Sequence, residues 1–293
     1  MSSMELPVVV GVDGSAPSLR AVDWAAEEAA LHGVPLRVVF ASLWERYEGA
    51  ALAQDLGRPS EQMLADDIVA SAARRAEDRF PNLKVFTDVL PDDAVRALVD
   101  AGRGASMLVV ASRGRSGIAE LVLGSVSLAV AARAGCPVIV LRGRHGTRPG
   151  TRQRIVLGVG EGPDSAAVRF AFEEAANRYA TLQLVRAWRR PAHEPPGDAL
   201  TTGHGVGDHD QRAAESLDES LQDAAREHPS VRVRRRTVEG PAHKALVAES
   251  GHADLLVVGA RRRPGQFGLQ LGRVAYSVLH DAACPVAVVP QRA

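Results

Sequence analysis

The chain has 293 residues, room for two ordinary domains, and its 46% apolar and 24% charged residues match a soluble globular protein with well-buried cores. Thirty-five basic residues balance thirty-five acidic ones, so overall charge gives no argument for nucleic acid or a membrane surface as partner. No apolar run approaches the roughly 20 residues of a membrane span, the first ten residues carry no secretory pattern, and two cysteines make no disulfide framework; the cytoplasm is the expected compartment.

In chain order, Pro7 to Val12 reads as a fully apolar strand and Asp13-Gly14-Ser15 as its turn into a helix. Leu19, Val22, Ala26 and Ala29 recur at helical spacing, and Gly33-Val34-Pro35 ends that helix. Leu36 to Ala41 is a second strand, and Leu43 to Pro59 a loop expected over the ligand face. Ser60 to Arg79 is a helix, with Met63, Ile68, Ala72 and Ala76 among its apolar positions. Val85 to Val89 is a strand and Asp93 to Ala101 a helix. Met107 to Ala111 is a buried strand, followed by a small, basic loop from Ser112 to Gly117. Gly124-Ser125 opens a helix running to about Arg133, with Ser125 as its N-cap; Gly135 stops it, and Pro137 to Leu141 is a strand. Such alternation predicts a parallel sheet covered on both faces. Ligands of such sheets sit beyond the carboxyl ends of the strands, where Gly11 to Asp13, Ala41 and Ala111 to Gly114 converge. Glycines admit a ligand to the backbone, a helix N-terminus offers unpaired N–H groups, and Arg113 and Arg115 add mobile charge. Together they predict an anion site, best suited to phosphate.

The plan then repeats. Val8 to Ser15 is echoed by Ile155 to Gly162, Leu108 to Ala111 by Leu256 to Gly259, and Cys136-Pro137-Val138 by Cys284-Pro285-Val286. The offset is 147 residues from Gly11 to Gly158, and 148 from Ala111 to Gly259 and from Cys136 to Cys284. This is a tandem duplication of two doubly wound α/β domains, each with a five-stranded parallel sheet. The expected divisions are a first domain over 1–143, a linker over 144–152 and a second domain over 153–293. In the second half, Ser165 to Tyr179 and Gln211 to Glu227 are helices. Leu182 to Ala187, Val231 to Val238, Leu255 to Gly259 and Val286 to Val289 are strands. The arginine-rich linker has no interleaved aromatics, so it reads as a solvated connector and not as a nucleic-acid site.

From Ala111 the pattern A-x2-G-x9-G-S, through Gly114, Gly124 and Ser125, resembles the G-x2-G-x9-G-S/T signature of the universal stress proteins, with alanine for the first glycine. The resemblance covers both halves and matches the tandem two-domain type. It implies ATP, with or without Mg2+, as ligand and a role in stress or dormancy. The mechanism implied is a nucleotide-dependent change of conformation or partner. Competing readings are a slow ATPase or adenylyl-transferring enzyme, which lacks a positioned base, and a ligand-free dimerisation scaffold. In the first half the resemblance points to Gly11, Val12, Asp13, Ala41, Ala111, Arg113, Gly114, Arg115, Gly117, Gly124, Ser125, Val126 and Ser127. Asp13 holds the family position that contacts the adenine end, and the serines read as donors to phosphate.

In the second half the corresponding residues are Gly158, Ala187, Gly259, Arg261, Arg262, Gly272, Arg273 and Val274. There Gly160 replaces the carboxylate of Asp13, Arg262 replaces Gly114, and Arg273 replaces the hydroxyl of Ser125. The second site is therefore expected to be weaker or altered. No P-loop occurs, and Pro163 breaks the dinucleotide pattern begun at Gly158. His193, His204 and His209, near Asp208 and Asp210, fit no metal-ligand spacing. Cys136 and Cys284 read as small buried hydrophobes. Pro137 to Leu141 and Pro285 to Val289 carry no charge to guard an edge, which predicts pairing of the two domains within the chain and a homodimer beyond it.

Overall fold

A computed structural model describes residues 6–42, 60–112, 123–142, 153–160, 165–188, 221–261 and 271–291. The chain divides into two compact units, the first holding strands β1 to β5 and the second β6 to β10. In the first unit the elements alternate: β1 (Val8–Val12), α1 (Ala16–His32), β2 (Leu36–Ala41), α2 (Ser60–Arg79), β3 (Val85–Leu90) and α3 (Ala94–Ala101). A 3-10 turn at Gly102–Gly104 leads into β4 (Met107–Ala111), α4 (Ser125–Arg133) and β5 (Val138–Leu141). Its sheet runs β3-β2-β1-β4-β5, parallel throughout. The strand order reverses between β1 and β4, which is where a doubly wound sheet opens a crevice at its carboxyl end.

Both faces of this sheet are covered, which explains the unbroken apolar runs. Helix α1 packs on α2, and α3 on α4. Val8, Val9, Val10, Leu108 and Val109 are fully buried. Helix α1 buries Ala21, Val22, Ala25, Ala26 and Ala29. It starts where the Ser15 hydroxyl accepts the N–H of Ser18 at 3.3 Å, and ends at Gly33, whose φ of 69° favours a residue without Cβ. Arg75 on α2 donates two hydrogen bonds of 2.7 Å to Asp23 on α1, and these hold its guanidinium pKa above the ordinary value. Asp93 is the N-cap of α3 and not its first residue; its carboxylate accepts the N–H groups of Val95 at 3.0 Å and Arg96 at 3.3 Å.

The second unit repeats the plan with β6 (Arg154–Gly158), α5 (Ser165–Asn177), β7 (Thr181–Trp188), α6 (221–227), β8 (Val233–Glu239), α7 (Ala242–Ser250), β9 (Leu255–Arg261), α8 (Arg273–Asp281) and β10 (Val286–Gln291). Its sheet runs β10-β9-β6-β7-β8, again parallel. Helices α7 and α8 add two elements to those expected from the sequence. On α7 the buried Glu249 accepts from Gln183 at 2.6 Å and pairs with Arg236, so its charge does not stand alone. Strand β8 begins at Val233 and not at Val231, and the helix expected from Gln211 is described over 221–227. Cys136 and Cys284 are buried and are not joined in a disulfide. Among the described residues no helix is long and apolar enough to cross a membrane.

Candidate functional site

At the carboxyl ends of β1, β2 and β4 lies a cleft of ≈ 290 Å³. Its floor is built by backbone geometry. A Cβ on Gly11 would stand 2.9 Å from Leu98 Cδ2, so the glycine lets α3 lie close against β1 and leaves Leu98 in the cleft wall. Gly11, Val12 and Asp13 enter from β1, Ala41 from β2 and Ala111 from β4. Gly124, Ser125, Val126 and Ser127 enter from the start of α4. The expected first-domain residues within the described regions thus meet in one cavity. Arg113, Gly114, Arg115 and Gly117 lie outside the described residues, as do Leu43 to Pro59, the linker and the His193–Asp210 group.

Asp13 is fixed by its own turn. Its Oδ1 accepts the N–H of Ser15 at 3.0 Å, and its N–H donates to the Ser18 hydroxyl at 3.3 Å. Ser18, only 3% exposed, in turn donates to the Ser15 carbonyl at 2.9 Å. Sequence reasoning missed Ser18, though a serine on the buried face of an alanine-rich helix was a usable signal. It also missed Phe40, Ala94 and Leu98, which line the wall together with Val39 and Val110.

Helix α4 corrects one expectation. Gly124, with φ −65° and ψ 145°, is the N-cap, Ser125 is the first helical residue, and no side chain caps the end. The first bond inside the helix runs from the Leu128 N–H to the Gly124 carbonyl at 3.1 Å. The N–H groups of Ser125, Val126 and Ser127 therefore have no acceptor within the helix, and no acidic residue occupies its first turn. The entry is pinned by the Gly124 N–H donating to the Ser112 carbonyl at 2.7 Å.

Ser127 also changes role. Its hydroxyl donates to the Ala111 carbonyl at 2.6 Å, so its proton serves the junction of β4 and α4 and not a phosphate. Ser127→Ala is expected to cost about 1 kcal/mol of stability, the usual net value of one buried hydrogen bond. Denaturant unfolding checks this; an unchanged midpoint would show the tie to be dispensable.

In the second unit Gly158 serves packing as Gly11 does: a Cβ there would stand 2.8 Å from Leu246 Cδ1. Ala187 lies on β7 at the position matching Ala41, and Gly259 on β9 matches Ala111. Arg261 ends β9, and Arg262 lies outside the described residues. Helix α8 opens on Gly272 as an N-cap without a side-chain bond, followed by Arg273 and the partly exposed Val274. Because both helices are capped by a glycine, the exchange of Ser125 for Arg273 removes no cap.

The profile of the universal stress protein family matches residues 5–142 and 151–290, nearly the whole chain. The chain belongs to the universal stress protein family. Among its relatives, the universal stress protein Rv2005c of Mycobacterium tuberculosis is 34% identical over 302 residues, covering 97% of each chain. A universal stress protein of Mycolicibacterium smegmatis is 31% identical over 300 residues, covering 99% of each. A crystal structure of a universal stress protein from Archaeoglobus fulgidus superposes with a TM-score of 0.70 over 98% of both chains, at 18% identity, and so speaks for the fold alone. The two matched segments make this a tandem universal stress protein, one domain to each unit.

Proposed function

We propose that this universal stress protein binds ATP in its first domain and acts as a nucleotide-dependent regulator of stress or dormancy responses. The observation that carries the reading is the convergence, in one cleft, of the Asp13 carboxylate with the uncapped N-terminus of α4. A carboxylate accepts from an amine, as adenine presents, while helix N–H groups donate to phosphate oxygens. A ligand must carry both functions to use both groups, and an adenine nucleotide does. Among the described lining residues Asp13 is the one carboxylate that could help to hold a phosphate-bound Mg2+.

A slow ATPase is the second reading. It needs a base, and the one ionisable side chain among the described lining residues is Asp13, already engaged by Ser15. Mass spectrometry of ligand released from freshly purified protein, followed by calorimetry with ATP, tests the proposal. Retained adenine nucleotide or saturable ATP binding is the expected result. Absence of both would refute it, and steady ADP release by the pure protein would favour the enzyme.

A further inference from the structure

Strand β3 stands at one end of the first unit's strand order and β8 at one end of the second's, each paired with one neighbour among the described strands. Leu36 pairs with Val85 as Leu182 pairs with Val233, so Lys84, Phe86, Thr87 and Asp88 correspond to Arg232, Arg234, Arg235 and Arg236. The edge of the first unit is charge-balanced at these positions, and Arg37 holds Asp88 at 2.5 Å. The edge of the second carries four arginines, all exposed. Charged side chains blunt an open edge against pairing, yet β3 manages with Lys84 and a paired Asp88. Four arginines exceed what guarding requires.

Backbone pairing fixes how those arginines are presented. The Leu182 N–H donates to the Arg232 carbonyl at 2.9 Å, and the Gly240 N–H to the Trp188 carbonyl at 2.9 Å. In a parallel ladder this turns the backbone of the even-numbered residues toward β7. The N–H and C=O groups of Val233, Arg235 and Thr237 then face the open edge. Side chains alternate across a strand, so Arg232, Arg234 and Arg236 share the sheet face that carries Gln183, at intervals of about 7 Å. Helix α7 packs over β6 and β7 on that face and reaches β8 through the pair of Glu249 with Arg236. Among the described residues Arg232 and Arg234 meet no carboxylate.

We infer that β8 is a docking edge for an extended acidic segment of a partner protein, which adds to the second unit's sheet as a further strand. Two features decide the class. The open row of backbone donors and acceptors matches a strand, and carboxylates at alternate positions of that strand would stand beside Arg232, Arg234 and Arg236 on one face. A basic strand is repelled by the same arginines and an apolar one would bury them unpaired, so the edge selects for acidic partners. Single-stranded nucleic acid fits less well, because no aromatic stands among the four arginines for a base to stack on. Strand β8 belongs to the second domain, so this surface owes nothing to nucleotide binding in the first.

Fluorescence anisotropy of a short labelled peptide alternating glutamate and valine, titrated with the full chain at low salt, tests it. Saturable binding of one peptide per chain is expected. Arg232→Glu combined with Arg234→Glu should weaken it about tenfold or more, and should make the chain bind the matching lysine–valine peptide instead. Arg234→Ala, which introduces no new charge, should weaken binding in the same direction. Both positions are exposed, so the melting temperature should not change. N-methylation at every second peptide amide, made in both phases, should abolish binding in one phase with every charge still in place. No saturable binding, equal binding of a peptide with the same residues in two blocks, or affinity unmoved by the arginine variants would overturn the inference. Tolerance of N-methylation in both phases would also overturn it, as would tighter binding of a single-stranded RNA that the same variants abolish.

Discussion

Asp13→Ala is expected to weaken ATP binding in the first domain by about tenfold to a hundredfold, the range for losing a hydrogen bond to a charged group. The carboxylate lines the cleft and also accepts the Ser15 N–H, so alanine removes both the ligand contact and part of the turn into α1. Asp13→Asn separates the two effects. Its amide oxygen can still receive the Ser15 N–H, while the charge is gone. The expected pattern is a weakened nucleotide affinity in both variants, with a lowered melting temperature in the alanine variant alone. Calorimetry showing both variants to bind ATP as tightly as the parent would remove Asp13 from the site.

The largest stability effect is expected at Leu98. Its side chain is 6% exposed and fills the space that Gly11 leaves open. Leu98→Ala should destabilise the first domain by about 2–5 kcal/mol through lost burial and an unfilled cavity. Gly11→Ala should cost about 1–3 kcal/mol, because the new Cβ would press on two Leu98 methyl carbons at 2.9 and 3.0 Å. Combined, the two changes should cost less than their sum, since each relieves the other's defect. Additive losses in denaturant unfolding would mean that the glycine is there for another reason, such as ligand approach alone. The same argument applies to Gly158 and Leu246 in the second unit.

Much of this protein could be read from residue order. Strands β1 and β4 are unbroken apolar runs because both faces of a parallel sheet are covered, and such runs are visible without coordinates. The helix over Ser60–Arg79 and the stop at Gly33 follow from spacing and from the left-handed backbone that glycine allows. The constant offset between Gly11 and Gly158, and between Ala111 and Gly259, settled the duplication. Spacing also placed Gly124 and Ser125 at the mouth of a helix facing the ends of the strands.

Tertiary structure decided what each of those residues is for. Gly11 and Gly158 look in sequence like room for a ligand, but their missing Cβ atoms admit Leu98 and Leu246, which lie 87 and 88 residues downstream. Ser125 looks like a cap, yet the cap is Gly124, because the chain turns one residue earlier to reach the Ser112 carbonyl. Ser127 looks like a phosphate donor, yet its proton goes to Ala111. The reason is common to all of these. Periodicity and propensity report on neighbours within a turn or a pleat, whereas these roles depend on atoms brought within about 3 Å by folding, across separations that no local pattern records.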